Sequence, residues 1–260
     1  MIRILFCLLI LTSCATINQH NIHNQNENIY GGILKENVIW KDTIVIERDI
    51  LIPEGVVVKV EPGTRILVNR AETTRTEPIF LQPETEILIR GKLIANGLED
   101  KPIFFISSEK EKTQKDWGGL VLDGGTIELS NVVVKHASTA ITLINGDINM
   151  SDTLIEDNNY GIVLFENVKG FIQNFTIRNN KSAMIVNNEG VEIKNVKIQK
   201  NEDGLIIKNI NQKTTGFKIS ENETGIIIPF KLLNFFIRDN SIYENKNNAF
   251  FYPIDNFISQ

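Results

Sequence analysis

The sequence predicts an all-β solenoid in which short strands stack as successive coils of 21–23 residues. Two observations favour this fold class. Short runs rich in β-branched and aromatic residues alternate with Gly, Pro, Asn and Asp, and no stretch has the pattern of an amphipathic helix of three turns. In addition, FTIRNNKSAMIV, VKIQKNEDGLII and FKISENETGIII, beginning at Phe175, Val196 and Phe217, align with one another. Their spacing is that of a repeat protein built from strands.

The first 13 residues have the pattern of a secretory signal peptide. Arg3 supplies a positive charge, and residues 4–11 form an apolar run too short to span a bilayer. The segment LTSC, ending at Cys14, resembles a bacterial lipobox, in which cleavage occurs before a cysteine that carries lipid. An ordinary secretory signal with a chance cysteine, or an uncleaved anchor, is the alternative. We expect a lipid anchor at Cys14, which places the protein in the cell envelope, on either face of the outer membrane.

Cysteine content and charge limit the chemistry of the mature chain. The other cysteine, Cys7, lies in the predicted signal peptide, so no disulfide and no thiolate metal site is expected. The formal net charge is −5 and no basic stripe is present, so nucleic acid is not an expected partner. Residues 14–30 are polar and rich in Asn, His and Gln, and we interpret them as a flexible tether.

Residues 31–260 are predicted to form a single solenoid domain. Two polar segments, residues 69–76 and 107–116, interrupt its regular pattern and are expected to be loops that leave the body. Trp40 and Trp117 are the only tryptophans, and both are expected to be packing residues rather than platforms for sugars. Asp123, Asp147, Asp152 and Asp203 are interpreted as ordinary turn residues, and no metal site is predicted.

From residue 132 onward each coil can be numbered from an apolar residue at position 0. Successive position-0 residues are 21, 22, 21, 21 and 23 residues apart: Val134, Ile155, Ile177, Ile198, Ile219 and Ile242. Positions +7 and +9 are also always apolar, and we expect them to point inward. Position +3 holds an asparagine in five coils: Asn158, Asn180, Asn201, Asn222 and Asn245. In stacked coils these side chains would hydrogen-bond one another, and asparagine also tolerates the left-handed backbone of a tight turn.

The unit xIxxNxxxGIxI resembles the repeats of right-handed parallel β-helix proteins of the pectate-lyase-like superfamily, whose turns carry asparagine ladders. The segments ILIPEGVVVKVEPGTRILV, GKLIANG and WGGLVL resemble the opening coils of bacterial surface β-helix proteins. The resemblance implies a right-handed parallel β-helix. It also implies that an enzyme on this fold would be a polysaccharide lyase, with carboxylates that usually hold Ca²⁺ and an Arg or Lys base, or an inverting hydrolase with several aspartates.

One charged cluster is a candidate for such chemistry. Positions +1 and +2 of neighbouring coils place Glu156, Asp157, Arg178 and His136 together. In an enzyme Asp157 would be a ligand or acid and Arg178 the base. The alternative is that Lys135, Glu156 and Arg178 form a surface ladder of alternating charge without catalytic activity. We favour the ladder, because no pair of aspartates recurs on successive coils.

Position +8 lies between two inward positions and is therefore expected to point outward, yet it is apolar in five coils. Its residues are Val163, Ile185, Ile206, Ile227 and Phe250, preceded by Thr142. Such a stripe marks a contact surface, unless it is covered or reflects the general apolarity of parallel strands. We expect no cofactor and a non-catalytic protein that binds a glycan or an envelope protein, or serves as a rigid scaffold. A polysaccharide-degrading enzyme and an assembly factor for another envelope protein are the alternatives.

Overall fold

The computed structural model describes residues 29–71 and 83–252, and these fold as stacked coils of parallel strands. The predicted signal peptide, Cys14 and residues 15–28 of the predicted tether lie outside the described residues. The strands are β1 (Ile29–Ile33), β2 (Val38–Trp40), β3 (Thr43–Ile52), β4 (Val57–Val60), β5 (Arg65–Val68), β6 (Glu86–Ile89), β7 (Lys92–Asn96), β8 (Ile103–Ser107), β9 (Gly119–Ser130), β10 (Val132–Lys135), β11 (Thr139–Ser151), β12 (Leu154–Glu156), β13 (Tyr160–Gln173), β14 (Thr176–Arg178), β15 (Ser182–Asn188), β16 (Val191–Lys194), β17 (Lys197–Gln199), β18 (Asp203–Ile210), β19 (Lys218–Ser220), β20 (Thr224–Pro229), β21 (Ser241–Tyr243) and β22 (Asn247–Tyr252). One short helix, α1 (Phe230–Phe236), follows β20.

The strands form three faces, and each coil contributes to each face in turn. Each strand pairs in parallel with the strands of the preceding and following coils, so the described chain is a parallel β-helix of about ten coils. Position 0 lies on the first face and positions +7 to +9 on the second, while the third face contains β2, β4, β7 and β16. The long strands β3, β9, β11 and β13 bend from one face to the next, which explains their length.

The predicted register is confirmed at position 0. Val134 pairs with Ile155, and the pairing continues in register to Ile242. The same column extends upstream through Phe105, Ile66 and Ile44. From Val134 upstream the steps are 29, 39 and 22 residues, and the two longer ones contain the predicted excursions. The second excursion leaves the helix at the turn between the first and second faces, below the asparagines. Residues 72–76 of the first lie outside the described residues.

The core is a column of aliphatic side chains inside the helix. Residues at positions 0, +7 and +9 are buried through the ninth coil, as the pattern predicts, and both tryptophans are buried. Like residues stack at about 4.8 Å, so each β-branched side chain packs on a similar one above and below. The prediction fails at the last described coil, where Phe251 at position +9 is 50% exposed, because no further coil within residues 29–71 and 83–252 covers it.

The five asparagines form a continuous ladder. Each side-chain Oδ1 accepts hydrogen bonds from the backbone N–H and the Nδ2 of the asparagine one coil earlier, at 2.8–3.1 Å. Asn158 at the first rung accepts instead from the backbone N–H of Ala137, at 2.9 Å. The expected left-handed backbone is not at position +3 but one residue earlier, where φ lies between 55° and 67° in six coils. The turn is made by position +2, which leaves the asparagine free to point inward.

Asn248 closes the ladder at its C-terminal end. Its Oδ1 accepts from both the backbone N–H of Asn245, at 3.3 Å, and the Nδ2 of Asn245, at 3.1 Å. These are the two hydrogen bonds that a further coil would otherwise supply. Position +6 is small in the preceding coils and asparagine here, and this contact is the physical reason for the exception.

Helix α1 closes part of the same end. It takes the place of a third-face strand in the ninth coil, where Pro229 ends β20 and precedes the first helical residue. Phe236 of α1 is buried and packs against Phe217 with ring centroids 5.6 Å apart. The sequence gives no helical signal here, because two turns are too few to establish a periodicity.

Candidate functional site

The charged side chains at position +1 form an ion-pair ladder across three coils. Strands β10, β12 and β14 place Lys135, Glu156 and Arg178 in register. One carboxylate oxygen of Glu156 accepts a hydrogen bond from Arg178 Nε at 2.6 Å, and the other pairs with Lys135 Nζ. The Glu156 side chain is 8% exposed, whereas that of Arg178 is 40% exposed. A nearly buried carboxylate is therefore held between two cations that reach the solvent.

This arrangement suppresses acid–base chemistry at Glu156. Burial opposes ionisation of the carboxyl, but the hydrogen bonds and charges of Lys135 and Arg178 outweigh it, so the pKa lies below its ordinary value. Glu156 is ionised at neutral pH, and both of its oxygens are occupied. A general acid or base needs a pKa near the working pH and a free oxygen facing the substrate, so Glu156 is suited to neither role.

His136 and Asp157 occupy the left-handed position +2 of neighbouring coils. Lys135 Nζ lies 3.5 Å from Asp157 Oδ2. His136 is half-buried, and its Nδ1 is a buried atom with no hydrogen-bond partner among the described residues. Burial lowers the pKa of His136 and the nearby charge of Lys112 lowers it further, so the imidazole is neutral at pH 7.

The second excursion, residues 107–116, folds back over this turn. The backbone N–H of Asn159 donates to the carbonyl of Gln114 at 3.1 Å, and Gln114 Nε2 donates to the carbonyl of Asn179 at 2.9 Å. Asp116 anchors the loop by accepting hydrogen bonds from Thr113 at 2.6 and 3.0 Å. Although burial opposes it, these bonds lower the pKa of the Asp116 carboxyl. The loop thus reaches from the fourth to the seventh coil and limits access to His136.

The structure brings the four predicted site residues onto three successive coils. The observed contacts of Lys135, Glu156 and Arg178 are those of the alternating charge ladder. Whether Asp157 and His136 contact a substrate stays a prediction.

The apolar residues at position +8 are aligned, as the register requires, from Leu51 to Phe250. Leu51, Leu88 and Val121 are buried although they point outward, and Ile144 packs against them. Val163, Ile185, Ile206 and Ile227 of the predicted stripe are only half-buried, and Phe250 is exposed. The stripe is thus covered in the early coils and open in the later ones, and its role as a contact surface stays a prediction.

A groove that the sequence analysis missed runs along the turns between the second and third faces. Its volume is about 490 Å³, and it is open to solvent. Five successive coils line it, with the turns at residues 55–57, 90–92, 124–126 and 145–147, followed by Asn167 and Lys169. The groove therefore follows the axis of the β-helix, at a different corner from the charged cluster.

Glycines keep the groove free of side chains. A Cβ on Gly125 would lie 2.2 Å from the carbonyl oxygen of Gly91, and one on Gly146 would lie 2.3 Å from that of Gly125. Successive turns thus touch through their backbones. Gly91, Gly125 and Gly146 recur two or three residues after the second-face segments end at Ile89, Leu122 and Leu143. This recurrence was the signal in the sequence that could have located the groove.

Polar side chains also line the groove, next to these glycines. Strands β11 and β13 pair Asn145 with Asn167 and Asp147 with Lys169. On the preceding coils, Arg90 Nη2 lies 3.0 Å from Asp123 Oδ2, and Lys92 Nζ lies 2.5 Å from Glu128 Oε1. The groove therefore offers hydrogen-bond donors and acceptors on adjacent coils.

Comparison with protein families identifies the domain. Residues 32–153 match the family described as a pectate-lyase like beta helix domain. The chain carries a pectate-lyase-like β-helix domain. A comparison with curated proteins and with solved structures finds no match. The matched family thus establishes the fold, and the chemistry has to be argued from the site.

The matched residues contain four of the five turns that line the groove. It ends before Asn158, so the asparagine ladder lies in the coils that follow it. Within residues 29–71 and 83–252, no three His, Cys, Asp or Glu side chains form a group that could hold a metal ion. Over the same ranges, no helix is long and apolar enough to cross a membrane.

Proposed function

We propose that this chain is a lipid-anchored, non-catalytic β-helix of the cell envelope that binds a linear polysaccharide in the glycine-lined groove. The observation that carries the proposal is the groove itself, which is open, crosses five coils and is lined by polar groups. Glycine-rich turns with an accessible backbone are typical of sites where a ligand approaches the main chain closely.

The shape of the groove favours an extended ligand. Its five turns are stacked about 4.8 Å apart, so they span about 19 Å along the helix axis. Because the turns repeat, a polymer with its own repeat can make similar contacts on successive coils. A compact small molecule would use only one or two of them.

The chemistry of the groove favours a carbohydrate. Sugar hydroxyls donate and accept hydrogen bonds, and Asn145 and Asn167 can do both. Asp147 supplies an acceptor and Lys169 a donor on the next coil. Arg90 and Lys92 already have acidic partners, so their net charge toward a ligand is reduced. A mixed polar surface of this kind suits a hydroxyl-rich polymer.

The absence of catalysis rests on the charged cluster. Glu156 and Arg178 neutralise each other at the corner between the first and second faces, away from the groove. In a lyase or hydrolase the acidic and basic groups have to contact the bound chain. The arrangement therefore supports binding without cleavage.

A binding assay with groove variants tests the proposal. The purified full chain is titrated with a panel of soluble polysaccharides, and bound fractions and released products are measured. Asp147→Ala and Lys169→Ala should each weaken binding about 5- to 30-fold, the equivalent of about 1–2 kcal/mol per lost polar contact. Lys181→Ala, an exposed lysine on the ladder turn, is the control and should bind like the wild type.

Two results would contradict this function. If no polysaccharide binds, or if the groove variants bind as tightly as Lys181→Ala, the groove is not the site. If products with new chain ends accumulate and Arg178→Ala abolishes them, the protein is an enzyme and the charged cluster is its active site.

The lipid anchor is proposed from LTSC at residues 11–14, which resembles a lipobox. Cells grown with a fatty-acid analogue should label the wild-type protein and leave Cys14→Ala unlabelled. Equal labelling of both proteins would remove the anchor from the proposal while leaving the groove unaffected.

A further inference from the structure

The exterior of the first face carries one pair of like charges that lie directly opposite each other. Among the registered strand pairs of the described chain, three pairs of directly opposed charges are opposite in sign: Lys135–Glu156, Glu156–Arg178 and Asp147–Lys169. The exception is Lys197 on β17, which lies opposite Lys218 on β19. Like charges directly opposite each other destabilise a sheet, so the stability of the fold does not account for this pair.

Neither lysine of this pair is neutralised within residues 29–71 and 83–252. Both side chains are exposed, and no carboxylate in those ranges forms an ion pair with either of them. The neighbouring cations differ in this respect, because Arg178 pairs with Glu156, and Lys194 Nζ lies 2.5 Å from Glu192 Oε1. Adjacent strands hold the two lysines about 4.8 Å apart at the backbone. Two positive charges are therefore left for an external anion.

A cleft lies beside the lysine pair, at the turn between the third and first faces. Its volume is about 330 Å³, and both lysines line it. Thr176 also lines the cleft and pairs in register with Lys197, so its hydroxyl belongs to the same outward column as the two ammonium groups. Asn174 and Asn195 line the cleft from the turn. The charges are thus placed at a concave surface with further polar groups.

Gly216 keeps this cleft accessible. Asn174, Asn195 and Gly216 occupy the left-handed position of three successive turns, with φ of 56°, 54° and 78°. A Cβ on Gly216 would lie 2.5 Å from Asn195 Oδ1, so no side chain stands above Asn195 on the next coil. Asn195 Nδ2 donates to Asn174 Oδ1 at 3.3 Å, and an amide nitrogen has a second N–H to donate. Asn195 is exposed, so this second N–H is accessible to a ligand.

The chemistry of the cleft favours a phosphate group. The two ammonium groups and the amide of Asn195 are hydrogen-bond donors, and the hydroxyl of Thr176 can also donate. A phosphate monoester carries a charge of about −1.5 to −2 at neutral pH and has three acceptor oxygens, so it can bind both lysines at once. A carboxylate carries a single charge and would leave one of the lysines uncompensated.

We propose that this lysine pair, with Thr176 and Asn195, is a binding site for a phosphate group, carried by an organic phosphomonoester or free as inorganic phosphate. The bound phosphate bridges Lys197 and Lys218 and removes their repulsion. The site lies at a different corner of the β-helix from the glycine-lined groove, and it does not depend on polysaccharide binding there.

Isothermal titration calorimetry of the full chain, at constant ionic strength, tests this proposal. The protein is titrated with inorganic phosphate, with glycerol phosphate and, as the neutral reference, with glycerol. The wild type should bind phosphate and not glycerol, and Lys197→Ala and Lys218→Ala should each raise the dissociation constant at least about 10-fold. Lys59→Ala is the matched control, because Lys59 is an exposed strand lysine whose neighbours in register are Ile39 and Ile94. It should bind phosphate like the wild type.

The two phosphate compounds distinguish the source of the ligand. Tighter binding of glycerol phosphate than of inorganic phosphate supports the site and identifies an esterified phosphate as its ligand. The opposite order supports the site and identifies free phosphate.

A charge reversal provides a second readout. Lys218→Glu creates an opposite pair with Lys197, so without phosphate it should raise the melting temperature by about 1–3 °C, while phosphate binding is lost. The proposal is overturned if the wild type binds neither phosphate compound, or if Lys197→Ala and Lys218→Ala bind phosphate as tightly as Lys59→Ala does. Phosphate binding by Lys218→Glu at the wild-type affinity also overturns it.

Discussion

Replacing Asn201 with alanine removes one rung from the middle of the asparagine ladder. Asn201 is 4% exposed, and its Oδ1 accepts from the backbone N–H of Asn180 at 2.9 Å and from Asn180 Nδ2 at 3.0 Å. Its Nδ2 donates to the carbonyls of Gln199 and Ile177 and to Asn222 Oδ1, at 2.9, 3.3 and 2.9 Å. The left-handed residue of this turn is Lys200, so the substitution adds no backbone strain.

The size of this destabilisation follows from the groups that lose their hydrogen-bond partners. Asn180 Nδ2 keeps its bond to the carbonyl of Arg178, but the backbone N–H of Asn180 loses its acceptor in a buried turn. One such group costs about 1–3 kcal/mol, and the carbonyls of Gln199 and Ile177 add to it. We expect Asn201→Ala to lower the free energy of unfolding by about 3 kcal/mol. For a domain of this size the melting temperature falls by roughly 6–12 °C.

Thermal and urea unfolding, followed by far-UV circular dichroism, measure this loss. Asn245→Ala at the end of the ladder should cost about 1 kcal/mol, because its partly exposed partners can bind water. Asn159→Ala is the matched control, since Asn159 lies one residue beyond the ladder and its side chain makes no hydrogen bond among the described residues. Equal losses for Asn201→Ala and Asn159→Ala, or a loss below about 0.5 kcal/mol at Asn201, would refute a ladder that stabilises through buried hydrogen bonds.

Three further substitutions test other parts of the structure. Leu205→Lys places a charge in the core and should prevent folding. Ile206→Lys, on the outer stripe, should fold, with a free energy of unfolding about 1 kcal/mol lower than that of the wild type. If both substitutions destabilise the protein equally, Ile206 belongs to the core. Glu156→Gln should lower stability by about 1 kcal/mol at pH 7. Because the folded-state pKa of Glu156 is depressed, this difference should vanish as the pH falls through that pKa, and a difference that grows in acid would contradict the ion-pair geometry. Gly125→Ala puts a Cβ against the carbonyl oxygen of Gly91 and should lower the free energy of unfolding in urea by about 2 kcal/mol. An unchanged urea midpoint would mean that the two turns can move apart.

The coil register could be read from the sequence because each coil repeats the same physical requirement. Ile155, Ile177 and Ile198 recur at a nearly constant spacing, since a position-0 residue must fill the same space inside every coil. Asn180 and Asn201 recur for the same reason, because each satisfies the backbone of the neighbouring turn. A packing requirement that is the same in every coil therefore appears in the sequence as a residue type that recurs at the coil spacing.

Structural features that occur only once in the chain could not be predicted from the repeat. Helix α1 spans two turns and is stabilised by the burial of Phe236 against Phe217, a contact between residues 19 apart. The closing of the ladder by Asn248 departs from the pattern of small residues at position +6, and only its contact with Asn245 explains the departure. Both depend on which surface is left uncovered at the end of the stack.

For the candidate site, too, the sequence predicted some features, and the structure was needed for others. Neighbouring positions in adjacent coils were enough to place Lys135, Glu156 and Arg178 together, because the register alone decides which side chains meet across a parallel pair. The register does not decide which charge is buried. Burial of Glu156 raises its pKa, and the hydrogen bonds and charges of Lys135 and Arg178 outweigh this effect and lower it. Only the structure shows that both carboxylate oxygens of Glu156 are occupied by Lys135 and Arg178.

The groove required the three-dimensional structure for a different reason. Gly91, Gly125 and Gly146 are separated by 34 and 21 residues, because the second excursion lengthens the chain between the first two. Their alignment is visible only after that excursion has folded out of the helix and the strands β6, β9 and β11 have paired. The repeat determines which residues stack within regular coils. A surface formed across irregular coils depends on where each inserted segment leaves and rejoins the β-helix.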